Sequence, residues 1–444
     1  MFVSPSLCRM DGGERTTSTP SEHEDTEAEL AAARLLQGPD SRTGFPSAEP
    51  DTPTNPRSLA GLSDRFPAAD GCRALAAFGV LLTHVGIQSG YTFFHPSIGR
   101  FFARADVGVS IFFVLSGFLL YRPFVVRRFA GEFQGDVGMY TRRRFLRIFP
   151  AYWVALTIVA FVLRAPPFQE PHSIVAHYFL LHIYDPNQVV FGPIDQAWSL
   201  ATELSFYLFL PCWAWLLARR QRSPAAQLKI ETIALVALWV ASVGLNLAVI
   251  AMGVSGARMG QLGTWLPFRI YEFALGMGLA IASAWMRHRE VKLPERWSGT
   301  PLTLASWGAG AVLFVFMSTK MGFPLTLDFT PLRALGLHLT YSLIGLLVVL
   351  PVVLGRQDRG LAQTLLANRL AVWLGLVSYG IYIWHKAWMN KYLEWTGQEP
   401  LRASFKGMLL VTVVLSIAAA AASWYLIERP LMRRRDRRPA TSAR

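Results

Sequence analysis

One carboxylate, Glu203, lies within a largely apolar run, Gln196-Ala-Trp198-Ser-Leu-Ala-Thr-Glu203-Leu-Ser-Phe-Tyr207-Leu-Phe-Leu-Pro211, which continues apolar to Ala218. At about 1.5 Å per helical residue this run is long enough to cross a bilayer core of about 30 Å. Glu203 then sits roughly 9 Å below the surface at the Trp198 end. An ionised carboxylate there costs on the order of 3 kcal/mol and is tolerated only with partners or water. Ser199, Phe206 and Tyr207 fall at i−4, i+3 and i+4 and share its face. A polar contact between helices is one explanation of such a residue; a group that takes part in chemistry is the other.

Imidazoles are the natural partners of that carboxylate. Arg73 and His84 are eleven residues apart, almost three helical turns, so both point the same way about 16 Å apart along one axis. A neutral imidazole is a general base near pH 7, and a buried carboxylate beside it would fix its tautomer and favour its charged form during reaction. Glu203 is the expected partner of His84. Arg73 alone would serve equally well as a surface anchor. A second imidazole closes Ser378-Tyr379-Gly-Ile-Tyr382-Ile-Trp384-His385, sharing a helix face with Tyr382; the tyrosines and Trp384 also suit an interfacial aromatic belt. In the basic loop Arg142-Arg-Arg144-Phe-Leu-Arg147-Ile-Phe-Pro150, Arg144 and Arg147 at i and i+3 form a fork for phosphates, as a nucleotide-bearing cofactor would need. Charge alone would make the same loop a cytoplasmic anchor. The chain has no P-loop, GxSxG or HExxH, so a serine triad has no support. Cys8, Cys72 and Cys212 show no CxxC spacing, and neither a disulfide framework nor a metal site is expected.

These residues need membrane helices to position them. The chain is 52% hydrophobic and only 16% charged, well under the quarter typical of soluble proteins. Ten apolar spans are expected, at 72–90, 105–126, 148–164, 197–218, 230–252, 266–286, 301–319, 335–354, 371–391 and 404–427. The segment 174–184 is too short to span and reads as interfacial or re-entrant. The regions 127–147, 219–229, 287–297, 356–369 and 429–444 hold 24 Lys and Arg, against eight in the alternate connections. That bias places both termini in the cytoplasm. The +14 net charge is therefore topological, and nucleic-acid binding is not indicated. Residues 1–64 contain seven prolines and eleven acidic against five basic residues, the composition of a disordered acidic tail. No secretory signal is expected there. The fold class is all-α: a polytopic transmembrane bundle of about ten helices behind that tail.

Orientation then gives depth. His84, Glu203, His385 and the Arg269/Glu272 pair all fall in one layer about 9 Å under the outer surface. Four helices converging on one layer point to a shared polar chamber.

Taken together, the motifs resemble the acyltransferase-3 family of integral membrane acyltransferases. The matching pieces are Arg73…His84, the Gly108-to-Phe118 run with its Ser116-Gly117-Phe118 end, and Arg144-x-x-Arg147-Ile-x-Pro150. Trp198-x-Leu-x-x-Glu203-x-x-Phe206-Tyr207, Ser378-Tyr379-x-x-Tyr382-x-x-His385 and Ile427-Glu428-Arg429-Pro430 follow in family order. The resemblance implies a transmembrane acyltransferase domain over 65–432, a basic cytoplasmic tail over 433–444, and multi-pass placement in the plasma or inner membrane. It implies an acyl-CoA donor, usually acetyl-CoA, and O-acylation of a carbohydrate or glycosylated small molecule, without a metal. On that pattern His84 and Glu203 would be catalytic, and Arg73, Arg144 and Arg147 would hold the donor. Ser378, Tyr382, His385, Tyr207 and Trp198 would line the substrate site. The tail of residues 1–64 is outside the family pattern, and the fused hydrolase-like domain of some members is not expected after Arg444. The alternative is a proton-coupled secondary transporter, since intramembrane His and Glu also suit proton relays; no internal repeat of the transporter kind is apparent.

Overall fold

Proline and hydroxyl or amide caps mark where the helices begin. Pro67, Pro224 and Pro331 open their helices at the first position, where a missing N–H costs nothing. Ser223, Thr330, Asn368 and Ser404 accept hydrogen bonds from the backbone three residues on, satisfying otherwise orphaned donors. Gly397, with φ of +65°, ends the longest of the buried helices in the left-handed conformation glycine adopts cheaply.

The computed structural model describes residues 65–132, 137–164, 168, 170–185, 192–294, 297–321 and 330–436. The acidic tail of 1–64 and the last residues of the basic tail lie outside them. Ten long helices occupy the ten expected positions: α1 (Pro67–Gln88), α2 (Gly108–Phe129), α3 (Val137–Thr157), α4 (Trp198–Ala218), α5 (Pro224–Ala251), α6 (Leu266–His288), α7 (Thr300–Lys320), α8 (Pro331–Val353), α9 (Arg369–Thr396) and α10 (Phe405–Ser423). No strand occurs among the described residues. Eight of the ten, some counted with their flanking turns, are long and apolar enough to cross a membrane. The other two, α6 and α9, carry the polar groups Arg269, Glu272 and His385 inside the bundle, which lowers their hydropathy without exposing charge. The chain is a multi-pass helical membrane protein.

One expectation changes in detail. The basic segment Arg142–Arg147 is not a loop but part of α3, which begins eleven residues before the expected span. The segment 174–184, as expected, does not span; it forms a short helix, Pro171–Tyr178, and a single turn, His182–Tyr184.

The centre of the bundle is α1 and α2, with 56% and 61% of their apolar windows buried, whereas α10 has only 17%. Helix α2 packs on α6 at backbone distance: a Cβ at Gly117 would strike the backbone of Phe273, and one at Gly276 that of Val114. The small residues of the Ser116-Gly117 stretch thus let two helices touch. Helix α1 packs on α9, and α9 on α10; α8 joins α2, and α7 covers α8. At one end of the α1–α9 pair Gly375 meets the backbone of Asp70. At the other, His84 meets His385. The two helices therefore run parallel and carry their functional side chains in register.

Candidate active site

An internal cavity lies between α1, α2, α3, α4 and α9, lined by Arg73, Arg144, Arg147, Ser116, Glu203, Tyr207, Ser199, Phe112, Ser378, Tyr379 and Tyr382 among others. The centre of a water-sized sphere can move through about 90 Å³ of it, room for several waters or an extended chain. Seven of the ten residues singled out from the sequence, Arg73, Arg144, Arg147, Glu203, Tyr207, Ser378 and Tyr382, line this cavity; Trp198, His84 and His385 do not.

 Ser199, read from the sequence only as a neighbour of Glu203, lines it as well.

One side of the cavity is cationic. Arg73, on the second turn of α1, donates to Asp70 across 2.7 Å and feels the charges of Arg147 and Glu203. Arg144 stacks its guanidinium over the rings of Tyr140 and Tyr207, each 5.8 Å from the centroid, and its Nε is buried without a hydrogen-bond partner. Arg147 lies one turn further along α3 and makes no hydrogen bond among the described residues. Three guanidiniums thus face two carboxylates, with unused donors left for an anion. Glu203 Oε1 accepts from Ser116 and, over 2.7 Å, from Tyr207 one turn on.

The opposite wall is Phe112, Ser199 and Tyr382. The Tyr382 hydroxyl meets Ser199 Oγ at 2.7 Å and donates to the Gln196 carbonyl over 3.1 Å. Its ring packs edge-on against Phe112, 6.0 Å between centroids. One turn beyond, 5.8 Å ring to ring, is His385. His385 Nε2 and His84 Nδ1 are 2.8 Å apart, with the rings stacked 18° from parallel. Tyr382 is therefore the side chain shared by the cavity and the histidine pair.

The expected His84–Glu203 pair is not formed. Glu203 serves the arginine side of the cavity, and His84 pairs with His385 instead. Nor is there one shared chamber. Arg269 and Glu272 form a separate network with His338, with Nη1 2.7 Å from the Glu272 carboxylate and 2.9 Å from His338 Nδ1. Trp198 belongs to that network, its ring under the Arg269 guanidinium at 5.5 Å. The physical reason is azimuth: equal depth does not make two helices turn the same face to one space.

Three features carried little sequence signal. Ser116 reads as a small packing residue, yet its hydroxyl binds Glu203. His338 stands alone in an apolar helix. Glu231, fully buried on α5, binds Arg128 Nε over 2.6 Å, Gln227 over 2.9 Å and the Tyr121 hydroxyl, a clamp between α2 and α5 that the basic run around Arg127 and Arg128 conceals. Among the described residues, no group of three or more His, Cys, Asp or Glu side chains is placed to hold a metal ion.

The described residues form a multi-pass helical bundle around a cavity with a cationic side and a histidine pair beyond its far wall. The chain belongs to the acyltransferase-3 family, whose acyltransferase domain matches residues 66–428. The chain therefore carries that family's acyltransferase domain. Among its relatives, the peptidoglycan O-acetyltransferase OatA of Listeria monocytogenes is 25% identical over 340 residues, 72% of this chain and 48% of that protein. Nodulation protein 10 of Rhizobium leguminosarum is 27% identical over 354 residues, 74% of this chain and 82% of that protein. The acyltransferase MdmB of Streptomyces mycarofaciens is 26% identical over 243 residues, 49% and 57% of the two chains. The match thus spans about half the length of the first and third of these. No solved structure matches the chain.

Proposed function

We propose that the protein is a plasma- or inner-membrane O-acyltransferase that moves an acyl group, most simply acetyl, from cytoplasmic acyl-CoA to a hydroxyl of a carbohydrate or glycosylated small molecule. The observation that carries this reading is the order of groups along α1 and α9. Arginines come first, then a cavity, then Tyr382, then the histidine pair. Arg73, Arg144 and Arg147 receive the phosphates of the donor. Its pantetheine arm extends along the cavity towards Tyr382 and brings the thioester to the histidine end. From Arg73 to His84 is about 16 Å of helix.

At that end His84 Nε2 takes the proton of the acceptor hydroxyl as its oxygen attacks the thioester carbonyl. The C–S bond breaks, the new C–O ester bond remains, and the departing thiolate receives the proton from the imidazolium. Glu203 holds the hydroxyls of Ser116 and Tyr207 and balances the arginine charge. The excess of Lys and Arg in alternate connections supports a cytoplasmic arginine side and cytoplasmic termini. The name of the peptidoglycan O-acetyltransferase relative supports a carbohydrate acceptor.

The test is labelled acetyl-CoA given to inverted native-membrane vesicles that carry the protein. Label appearing in glycan or glycosylated small molecules, with one CoA thiol released per acetyl moved, is the expected result. Thiol release no greater than in vesicles lacking the protein would overturn the reading.

A further inference from the structure

We propose that His385 is the positioning residue of this reaction: it accepts the Nδ1 proton of His84 and so leaves the Nε2 lone pair of His84 free for the acceptor's proton. The inference rests on the acyl-transfer reading above. It follows from which ring is enclosed and which is open. His385 is 0% exposed, so it does not meet an acceptor, although the sequence motif groups it with substrate-contacting residues. His84 is half-buried, and its Nε2 is neither hydrogen-bonded nor enclosed. Only His84 presents a nitrogen to a substrate.

A neutral imidazole carries one N–H, so the 2.8 Å contact has two possible senses. If His385 donated, His84 Nε2 would carry the hydrogen and have no lone pair for catalysis. His385 Nδ1, buried with no partner at hydrogen-bond distance, would then be a bare lone pair with the carbonyls of Tyr382 and Ile381, one helical turn back, as its neighbouring backbone groups. Lone pair would face lone pair in a buried site, which is costly. If His84 donates, His385 carries an Nδ1–H that those carbonyls attract from beyond hydrogen-bond distance, and His84 Nε2 is a base. The surroundings of His385 select the second arrangement, in the way a buried partner fixes the tautomer of a catalytic histidine. The proton then moves from acceptor oxygen to His84 Nε2 and on to the leaving sulfur, while the His84–His385 hydrogen bond stays in place.

The experiment compares His385→Leu, His385→Gln and His84→Ala in native-membrane vesicles, following CoA thiol release from acetyl-CoA. The Gln side chain places an oxygen acceptor near the position of Nε2; Leu fills the space without one. Equal protein levels and thermal unfolding midpoints establish that each variant is folded. We expect His385→Leu to lose about 100-fold or more in kcat with the KM for acetyl-CoA within about twofold, and His385→Gln to stay within about tenfold of wild type. Loss in both His385 variants, or in neither, would overturn the assignment while leaving the acyl-transfer reading intact. A wild-type rate no higher than that of His84→Ala would overturn the role of His84 as base, and this inference with it.

Discussion

The guanidinium of Arg144 lies over the ring of Tyr207, and the hydroxyl of that tyrosine donates to Glu203 over 2.7 Å. Cation, ring and carboxylate form one assembly on α3 and α4, with Arg147 a turn away on the same helix. Its spare donors face the cavity. If they receive donor phosphates, their loss weakens binding more than turnover. Arg144→Ala and Arg147→Ala should each raise the KM for acetyl-CoA about tenfold to a hundredfold, the value of one charge-assisted hydrogen bond of about 1.5–3 kcal/mol. Steady-state kinetics with varied acetyl-CoA measures this, and an unchanged KM in both would remove the arginines from the donor site.

Glu203 is an acceptor for two hydroxyls at once. Gln keeps a carbonyl oxygen for Ser116 and Tyr207, whereas Leu strands both. Glu203→Leu should therefore lose about 1–3 kcal/mol per stranded hydroxyl, and Glu203→Gln much less. Thermal unfolding in detergent separates the two variants; equal midpoints would mean that the pair of hydrogen bonds contributes nothing.

Away from the cavity, Arg128 and Glu231 form an ion pair whose side chains are 2% and 0% exposed. Removing one partner leaves the other charged, buried and unpaired, at a cost of about 3–5 kcal/mol. Glu231→Ala should lower the unfolding midpoint and the yield of folded protein more than any surface carboxylate change. The double variant Arg128→Met, Glu231→Leu should recover much of the loss. No recovery would assign the cost to packing rather than to the stranded charge.

His182, in the turn between α3 and α4, has neither ring nitrogen hydrogen-bonded and stacks on His177 at 4.7 Å. Burial first, and the neighbouring His177 second, push it down to about 3 from the ordinary 6.5. The unfolded chain binds a proton that the folded ring refuses, so the neutral ring is fully compatible with folding above about pH 6.5. Stability is lost as the pH falls from there towards 3. Unfolding midpoints between pH 7 and 5 should fall more steeply for wild type than for His182→Phe. Parallel slopes would contradict the assignment.

Much of this was legible in the sequence because membrane helices obey a simple rule of length and apolarity. The ten helix positions follow from it, and α6 and α9 were found despite their buried charges because the apolar run continues around Glu272 and His385. Helical spacing was legible too: Tyr207, at i+4 from Glu203, donates to it. Azimuth was not. Nothing in the order of residues says that α1 turns His84 towards α9 rather than α4, or that Trp198 lies under Arg269. Those choices are made by packing between distant segments, such as Gly117 against Phe273 and Gly375 against Asp70. For the same reason the partners of Ser116 and Glu231 are not readable from residue order.

The most direct measurement compares acetyl transfer from labelled acetyl-CoA by wild type and by His84→Ala in native-membrane vesicles at matched levels of folded protein. Loss of a general base predicts a fall of about 10²–10⁴-fold in turnover with little change in the KM for acetyl-CoA. Turnover by His84→Ala within a few-fold of wild type would contradict the account.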